Sequence, residues 1–193
     1  MLWQNLKDLR IILASKSPRR QQLLSGLEIE FEVRTKEVDE TFPEDLQEEA
    51  IPLFLSRLKA EAFRGELLPD ELLLTADTIV WVNGHVLNKP DNEVEALAML
   101  LELNGTAHSV YTGVCLTTSE RQECFFDETK VSFVQLSEDE LRHYVERYKP
   151  FDKAGSYGAQ ELIGYIAIDR IEGSYFNVMG LPLHKLYDCL RKW

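Results

Sequence analysis

The chain has 193 residues, 45% of them hydrophobic, enough for one packed domain or one domain with an elaborated lobe, and this argues against overall disorder. Its 21 basic and 33 acidic residues give a net charge of −12, which disfavours a nucleic-acid polymer or an anionic membrane as partner unless basic residues cluster locally. No apolar run reaches the roughly 20 residues of a membrane span, and MLWQNLKDLR lacks the basic-then-apolar layout of a signal peptide, so a cytoplasmic location is expected.

In chain order, the apolar cluster Ile11, Ile12, Leu13, Ala14 ends at a Ser-Pro signal, which predicts a buried strand feeding a helix. Ser17 suits the N-cap of that helix and Pro18 its first position. FEVRT, 31–35, reads as a second strand, and a helix is expected from about Pro52 to Arg64. LLLTADTIVWV, 72–82, has the composition of a strand, and Asn83-Gly84 then signals a hairpin. Asn92 and Glu95 stand in capping-box spacing before a helix carrying Ala96, Met99, Leu100 and Leu103, which ends at Asn104-Gly105. Two long strands follow, joined near Ser119-Glu120. A helix capped by Ser137 and Glu140 then stops before Pro150. A strand at about 164–171 and a helix at about 182–191 complete an α/β order with a mixed, twisted sheet. The three cysteines, Cys115, Cys124 and Cys189, are odd in number and widely spaced, so they read as reduced thiols.

Four groups of residues bear chemistry. Arg19 and Arg20 fall in a helix's first turn, where free N–H groups already present positive charge and acids are preferred. An anion would resolve that conflict by receiving the N–H groups, the hydroxyl of Ser15 or Ser17 and both guanidinium groups. Pairing with surface acids such as Glu28 or Glu30 is the alternative. Asp77 is a carboxylate in an otherwise apolar strand, costly to bury unless paired, protonated or metal-bound, and otherwise a solvent-facing residue at a bend. Lys89, after the Asn83-Gly84 turn, could return toward it or lie on the surface. Asp39 and Glu40 are either solvated or, with Asp77, an oxygen-rich site for Mg²⁺ or Mn²⁺. DKAGSYGAQ, 152–160, holds Lys153 and Gln160 among glycines, fitting a base-reading or phosphate-covering loop as well as a flexible one. Neither a Walker sequence nor a dinucleotide fingerprint occurs, which leaves a hydrolase with metal-activated water as the simplest fit.

LASKSPRR, VDE, ADTIVWVNGHVLNKP, HSVYTGV, DKAGSYGAQ and GSYFNVMGLPL stand in the order found in the Maf family of nucleoside triphosphate pyrophosphatases, which the chain resembles from about Ile11 to Leu190. The resemblance implies a Maf/inosine triphosphate pyrophosphatase-like α/β fold, a single domain with an elongated mixed sheet, flanking helices and a cleft between two lobes. It implies hydrolysis between the α and β phosphates with a divalent metal. By motif, Asp77 matches the family's proton acceptor, and Ser15, Arg19 and Arg20 its phosphate-binding positions. Glu40, Lys59, Lys89 and Lys153 match further charged positions, with Glu40 and Asp77 as metal ligands. Arg19, Thr78 and Gln160 resemble the specificity set of the dTTP and UTP branch. The 7-methyl-GTP branch has Gln after the aspartate and Glu near position 160. Asn104 replaces a common serine, and 42–52 has no recognisable match. The resemblance also allows a homodimer, and it raises a non-catalytic regulator of septum formation as the competing class.

Overall fold

The computed structural model describes residues 3–193. Strand β1 (Arg10–Leu13) is the predicted apolar run, and helix α1 (Pro18–Ser25) starts at the proline. Ser17 is extended at the N-cap, and its hydroxyl accepts the Arg20 backbone N–H at 3.4 Å. Strand β2 (Phe31–Val33) and the start of β3 (Glu71–Val82) both pair with β1 in parallel, with Ile11 opposite Phe31 and Leu72. Helix α2 (Ala50–Glu61) lies between them in sequence and keeps Pro52 in its first turn, where the missing N–H costs nothing. Asn83 and Gly84 both take positive φ, 49° and 82°, and turn β3 into antiparallel β4 (His85–Leu87).

Helix α3 (Glu93–Leu103) is capped by Asn92, whose side chain accepts the Glu95 N–H at 3.0 Å; Glu95 answers to the Asp91 N–H, one residue short of a full capping box. Strands β5 (Ala107–Thr117) and β6 (Gln122–Phe133) follow, then α4 (Glu138–Tyr148) with its complete Ser137–Glu140 box. Short helix α5 (Leu162–Ala167), strand β7 (Ile168–Glu172), a turn of helix α6 (Tyr175–Val178) and α7 (Leu183–Leu190) finish the chain. Among the described residues the strands form one seven-stranded mixed sheet, ordered β2-β1-β3-β5-β6-β7, with β4 attached to β3.

Two compact units divide the chain. The first comprises the chain through Asp77, Thr112–Asp127 and Gly180–Trp193, and the second Thr78–Tyr111 and Glu128–Met179. In the first, Ile12 and Leu73 pack with Ala60 and Phe63 of and just beyond α2. Its buried Glu71 is held by Arg34 through two contacts, 2.9 and 3.1 Å, and by Arg10 at 3.1 Å; the Arg34 hydrogen bonds keep that carboxyl below the usual carboxylate range. In the second unit, Val80, Leu100, Val110, Val131, Phe133 and Tyr144 form a core of β-strand and α3–α4 side chains.

Two expectations are corrected. The strand expected at 164–171 is helical up to Ala167, and only Ile168–Glu172 pairs with β6. A short apolar run such as LIGYIAI has no decisive period, and Gly164 lets the helix press onto the Ala159 carbonyl, where an added Cβ would lie 2.0 Å away. The cysteines are not all free: Cys115 and Cys124 form a disulfide, and Cys189 alone is a thiol. The Thr118 N–H bonds the Arg121 carbonyl, so the hairpin centred at Ser119-Glu120 sets Cys115 opposite Cys124 with Cα atoms 4.2 Å apart.

His108 has a measurable consequence. It is 4% exposed, its Nε2 shares a 2.8 Å hydrogen bond with the Tyr157 hydroxyl, and burial pushes its pKa down from 6.5 to about 4. The unfolded chain therefore takes up a proton below pH 6.5 that the native state refuses. Stability present above 6.5 is lost as pH falls toward 4, by roughly 3 kcal/mol for this residue. Urea denaturation between pH 7 and 4 should show that decline, and His108→Phe should flatten it.

Candidate active site

Residues i and i+2 of a strand share a face, so Thr75 and Asp77 of β3 point the same way. Residues i and i+3 of a helix are neighbours, so Ser56 and Lys59 of α2 do too. The Thr75 hydroxyl donates to the Ser56 carbonyl at 2.8 Å, and this joins the two faces. Lys59 Nζ then lies 2.5 Å from Asp77 Oδ1 and 3.1 Å from Glu40 Oε1. Asp77 is only 7% exposed, so its carboxylate has exchanged water for this ammonium.

What lets α2 approach is Gly113 on β5: a Cβ there would stand 2.5 Å from the backbone of Pro52. Cys115, two residues on, places its Sγ 3.4 Å from the Ser56 hydroxyl. The cysteine bridge and the glycine thus sit beneath the helix that carries Lys59.

The α1 start faces the same acids. Ser15 is buried, and its hydroxyl accepts the Ser17 N–H at 3.2 Å. Arg20 is half-buried, with Nε donating to the Gly180 carbonyl at 2.8 Å. Burial pushes its guanidinium pKa down, Asp77 and Glu40 oppose that shift, and the like charge of Arg19 reinforces it. Arg20 is therefore repelled by Arg19 and attracted by Asp77 and Glu40.

The remaining candidates lie in the second unit. Thr78 follows Asp77 directly along β3 and is partly buried, while Lys89 is exposed beyond β4, whose register would set it opposite Thr78. Lys153 is buried, with Nζ 2.7 Å from Asp152 and 3.1 Å from Glu161. Gly155 and Ser156 both take positive φ, 64° and 61°, which the glycine adopts freely and the serine only where its surroundings hold it. Gln160 Oε1 is buried with no hydrogen-bond partner.

Residues 10–193 match the Maf family, described as Maf-like protein. The chain belongs to the Maf family. Over 190 residues this Maf chain is 54% identical to the dTTP/UTP pyrophosphatase of Phocaeicola vulgatus, with 98% of each chain covered. It is 53% identical over 189 residues to the dTTP/UTP pyrophosphatase of Bacteroides thetaiotaomicron, covering 97% of this chain and 98% of that one. The corresponding protein of Flavobacterium johnsoniae is 48% identical over 190 residues, 98% of each. In fold, the Maf chain is similar to the Staphylococcus aureus Ham1 protein, with a TM-score of 0.55 and 14% identity over 95% of this chain and 98% of that one.

Several residues that hold the candidate side chains carry little signal in the sequence. Glu161 and Tyr144, which hold the Lys153 loop, look like an ordinary helix-start acid and a core aromatic. Gly180 contributes only a carbonyl. Gly113 was readable as a close-approach position from its place between Thr112 and Val114 in an otherwise bulky strand. Gly113→Ala should push Pro52 away and cost about 1–3 kcal/mol. Urea denaturation should show that loss, and a wild-type midpoint would mean that α2 does not depend on the contact.

Proposed function

We propose that this Maf protein hydrolyses dTTP and UTP to the nucleoside monophosphate and pyrophosphate. The observation that carries the reading is the Asp77–Lys59–Glu40 array facing Arg20 at the start of α1. A triphosphate is a dense anion, and a protein of net charge −12 must concentrate its cations to hold one. Ser15, Arg19, Arg20, Lys59, Lys89 and Lys153 are assigned to phosphate oxygens, the first three through the α1 N-terminus.

Among the described residues no cluster of three or more His, Cys, Asp and Glu side chains is arranged to hold a metal by itself. Mg²⁺ or Mn²⁺ is commonly held by one or two carboxylates with substrate phosphates completing the shell, and Glu40 and Asp77, sharing one ammonium, fit that donor set. Held by those two residues, the ion would neutralise charge on the phosphate oxygens. Asp77 accepts a proton from the attacking water as its oxygen bonds the α-phosphorus. The bond from that phosphorus to the α-β bridging oxygen breaks, and the electron pair leaves with pyrophosphate. General-base help of this kind is worth about 10²–10⁴-fold. Lys59 keeps the Asp77 carboxylate oriented until substrate arrives.

Base choice falls to Gln160, with Thr78 and Arg19. Thymine and uracil carry an N3–H donor beside an O4 acceptor, whereas cytosine N3 is an acceptor. The unpartnered Gln160 Oε1 suits the N3–H, and its amide group can donate to O4. We place this activity in the cytoplasm, where the nucleotide pools are.

The test incubates purified protein with Mg²⁺ or Mn²⁺ and, separately, dTTP, UTP, CTP, GTP and 7-methyl-GTP, with products resolved by anion exchange. Monophosphate and pyrophosphate are expected from dTTP and UTP, with CTP slower by about 10²-fold or more and with turnover lost in chelator. Orthophosphate and nucleoside diphosphate would overturn the cleavage site. Preference for 7-methyl-GTP would overturn the roles of Thr78 and Gln160. Tight binding without turnover would favour the septum-formation regulator.

A further inference from the structure

Resting on that reading, we infer that Glu161 is a positioning residue which, with Tyr144, fastens both ends of the Lys153–Gln160 loop. Each carboxylate oxygen has a separate duty. Oε1 lies 3.1 Å from Lys153 Nζ, and Oε2 accepts the Tyr144 hydroxyl at 2.5 Å. The Tyr144 oxygen in turn accepts the Gly158 N–H at 3.2 Å, and the Glu161 N–H bonds the Gly158 carbonyl at 3.0 Å. One carboxylate therefore reaches the lysine at the start of the loop and, through one hydroxyl, the backbone two residues before Gln160.

The surroundings make the fastening rigid. Tyr144 is fully buried on α4 and stacked on Tyr148, with centroids 5.0 Å apart. Burial raises the Tyr144 pKa, and the hydrogen bond its hydroxyl donates to Glu161 reinforces this, so the hydroxyl remains a donor. A Cβ on Gly158 would lie 2.9 Å from Glu161 Cδ and 3.1 Å from Gln160 Nε2, so the carboxylate and the amide both lie against a residue with no side chain. The other acid on Lys153, Asp152, is exposed, so Glu161 is the partner that water screens least.

The loop carries the phosphate contact and the base-reading amide assigned above, so loosening it should act on substrate affinity and base choice more than on the chemical step. Glu161→Gln keeps the shape and removes the charge. Tyr144→Phe keeps the Glu161–Lys153 pair and removes the hold on Gly158. Each should raise KM for dTTP and UTP about tenfold with kcat nearly unchanged, and reduce the UTP to CTP preference. Glu161→Asp should recover part of the loss.

A second readout needs no substrate. Hydrogen exchange in the free protein should quicken across 152–160 in both variants while α3 stays protected. Unchanged KM, selectivity and exchange in a folded Glu161→Gln protein would overturn the inference. So would a fall in kcat alone, or a lowered midpoint without any change in KM or loop exchange. If wild type releases no monophosphate but the loop exchange still quickens, the proposed activity fails while the fastening stands.

Discussion

In the first unit, the candidate site centres on one ion pair, the Lys59 ammonium against the Asp77 carboxylate. A carboxylate in a strand of Leu, Thr, Ala, Ile and Val pays several kcal/mol of lost hydration if it has no partner. The partner comes from a helix 18 residues earlier, and it arrives at the right place because that helix can touch the sheet. Gly113 leaves the space, Thr75 bonds the Ser56 carbonyl, and the next turn of α2 puts Lys59 over Asp77. The residues that position the pair are thus small or mildly polar, while the pair itself carries the charge.

Glu40 makes the array asymmetric in a useful way. Two carboxylates on one ammonium leave a net negative charge, while Arg20 and Arg19 bring positive charge from α1. On the proposed reading, a phosphate chain would meet cations where it needs neutralising, and a divalent ion would meet carboxylates where it needs ligands. This separation explains how so acidic a protein can be read as one that handles triphosphates. The second unit holds residues proposed to read the base. Its Gln160 carbonyl and buried Lys153 sit on a loop with two left-handed residues, of which Ser156 keeps that conformation only where the surroundings enforce it.

Local signals were the most legible in the sequence. Ser17-Pro18, Asn83-Gly84 and Ser137 with Glu140 each specify a cap or turn within four residues, and the structure has all three. The 164–171 segment is ambiguous in sequence because so short an apolar run as 165–168 supports helix and strand equally, and in the structure Gly164 lets the helix pack against Ala159. The disulfide needed register: the spacing of Cys115 and Cys124 means nothing until the Ser119-Glu120 turn makes them opposite. Arg19, Arg20, Asp77, Glu40, Lys89 and Lys153 stand out from residue type and position, whereas Lys59 is reached only through family resemblance. Which oxygen meets which nitrogen was not visible, because the Lys59–Asp77 pair requires the register of α2 on β3 and β5. Glu161 was invisible for the same reason, since its importance lies in two partners at 8 and 17 residues distance.

A double-mutant cycle on kcat reads this dependence directly, using Asp77→Asn, Lys59→Met and the double variant, each shown to be folded by circular dichroism. Groups that act as one unit lose their effect together, so each single variant should fall by about 10²–10⁴-fold and the double variant should be scarcely slower than Asp77→Asn. A double variant slowed by the product of the two single effects would mean that Lys59 and Asp77 work independently, and wild-type turnover by Asp77→Asn would remove the carboxylate from the chemistry.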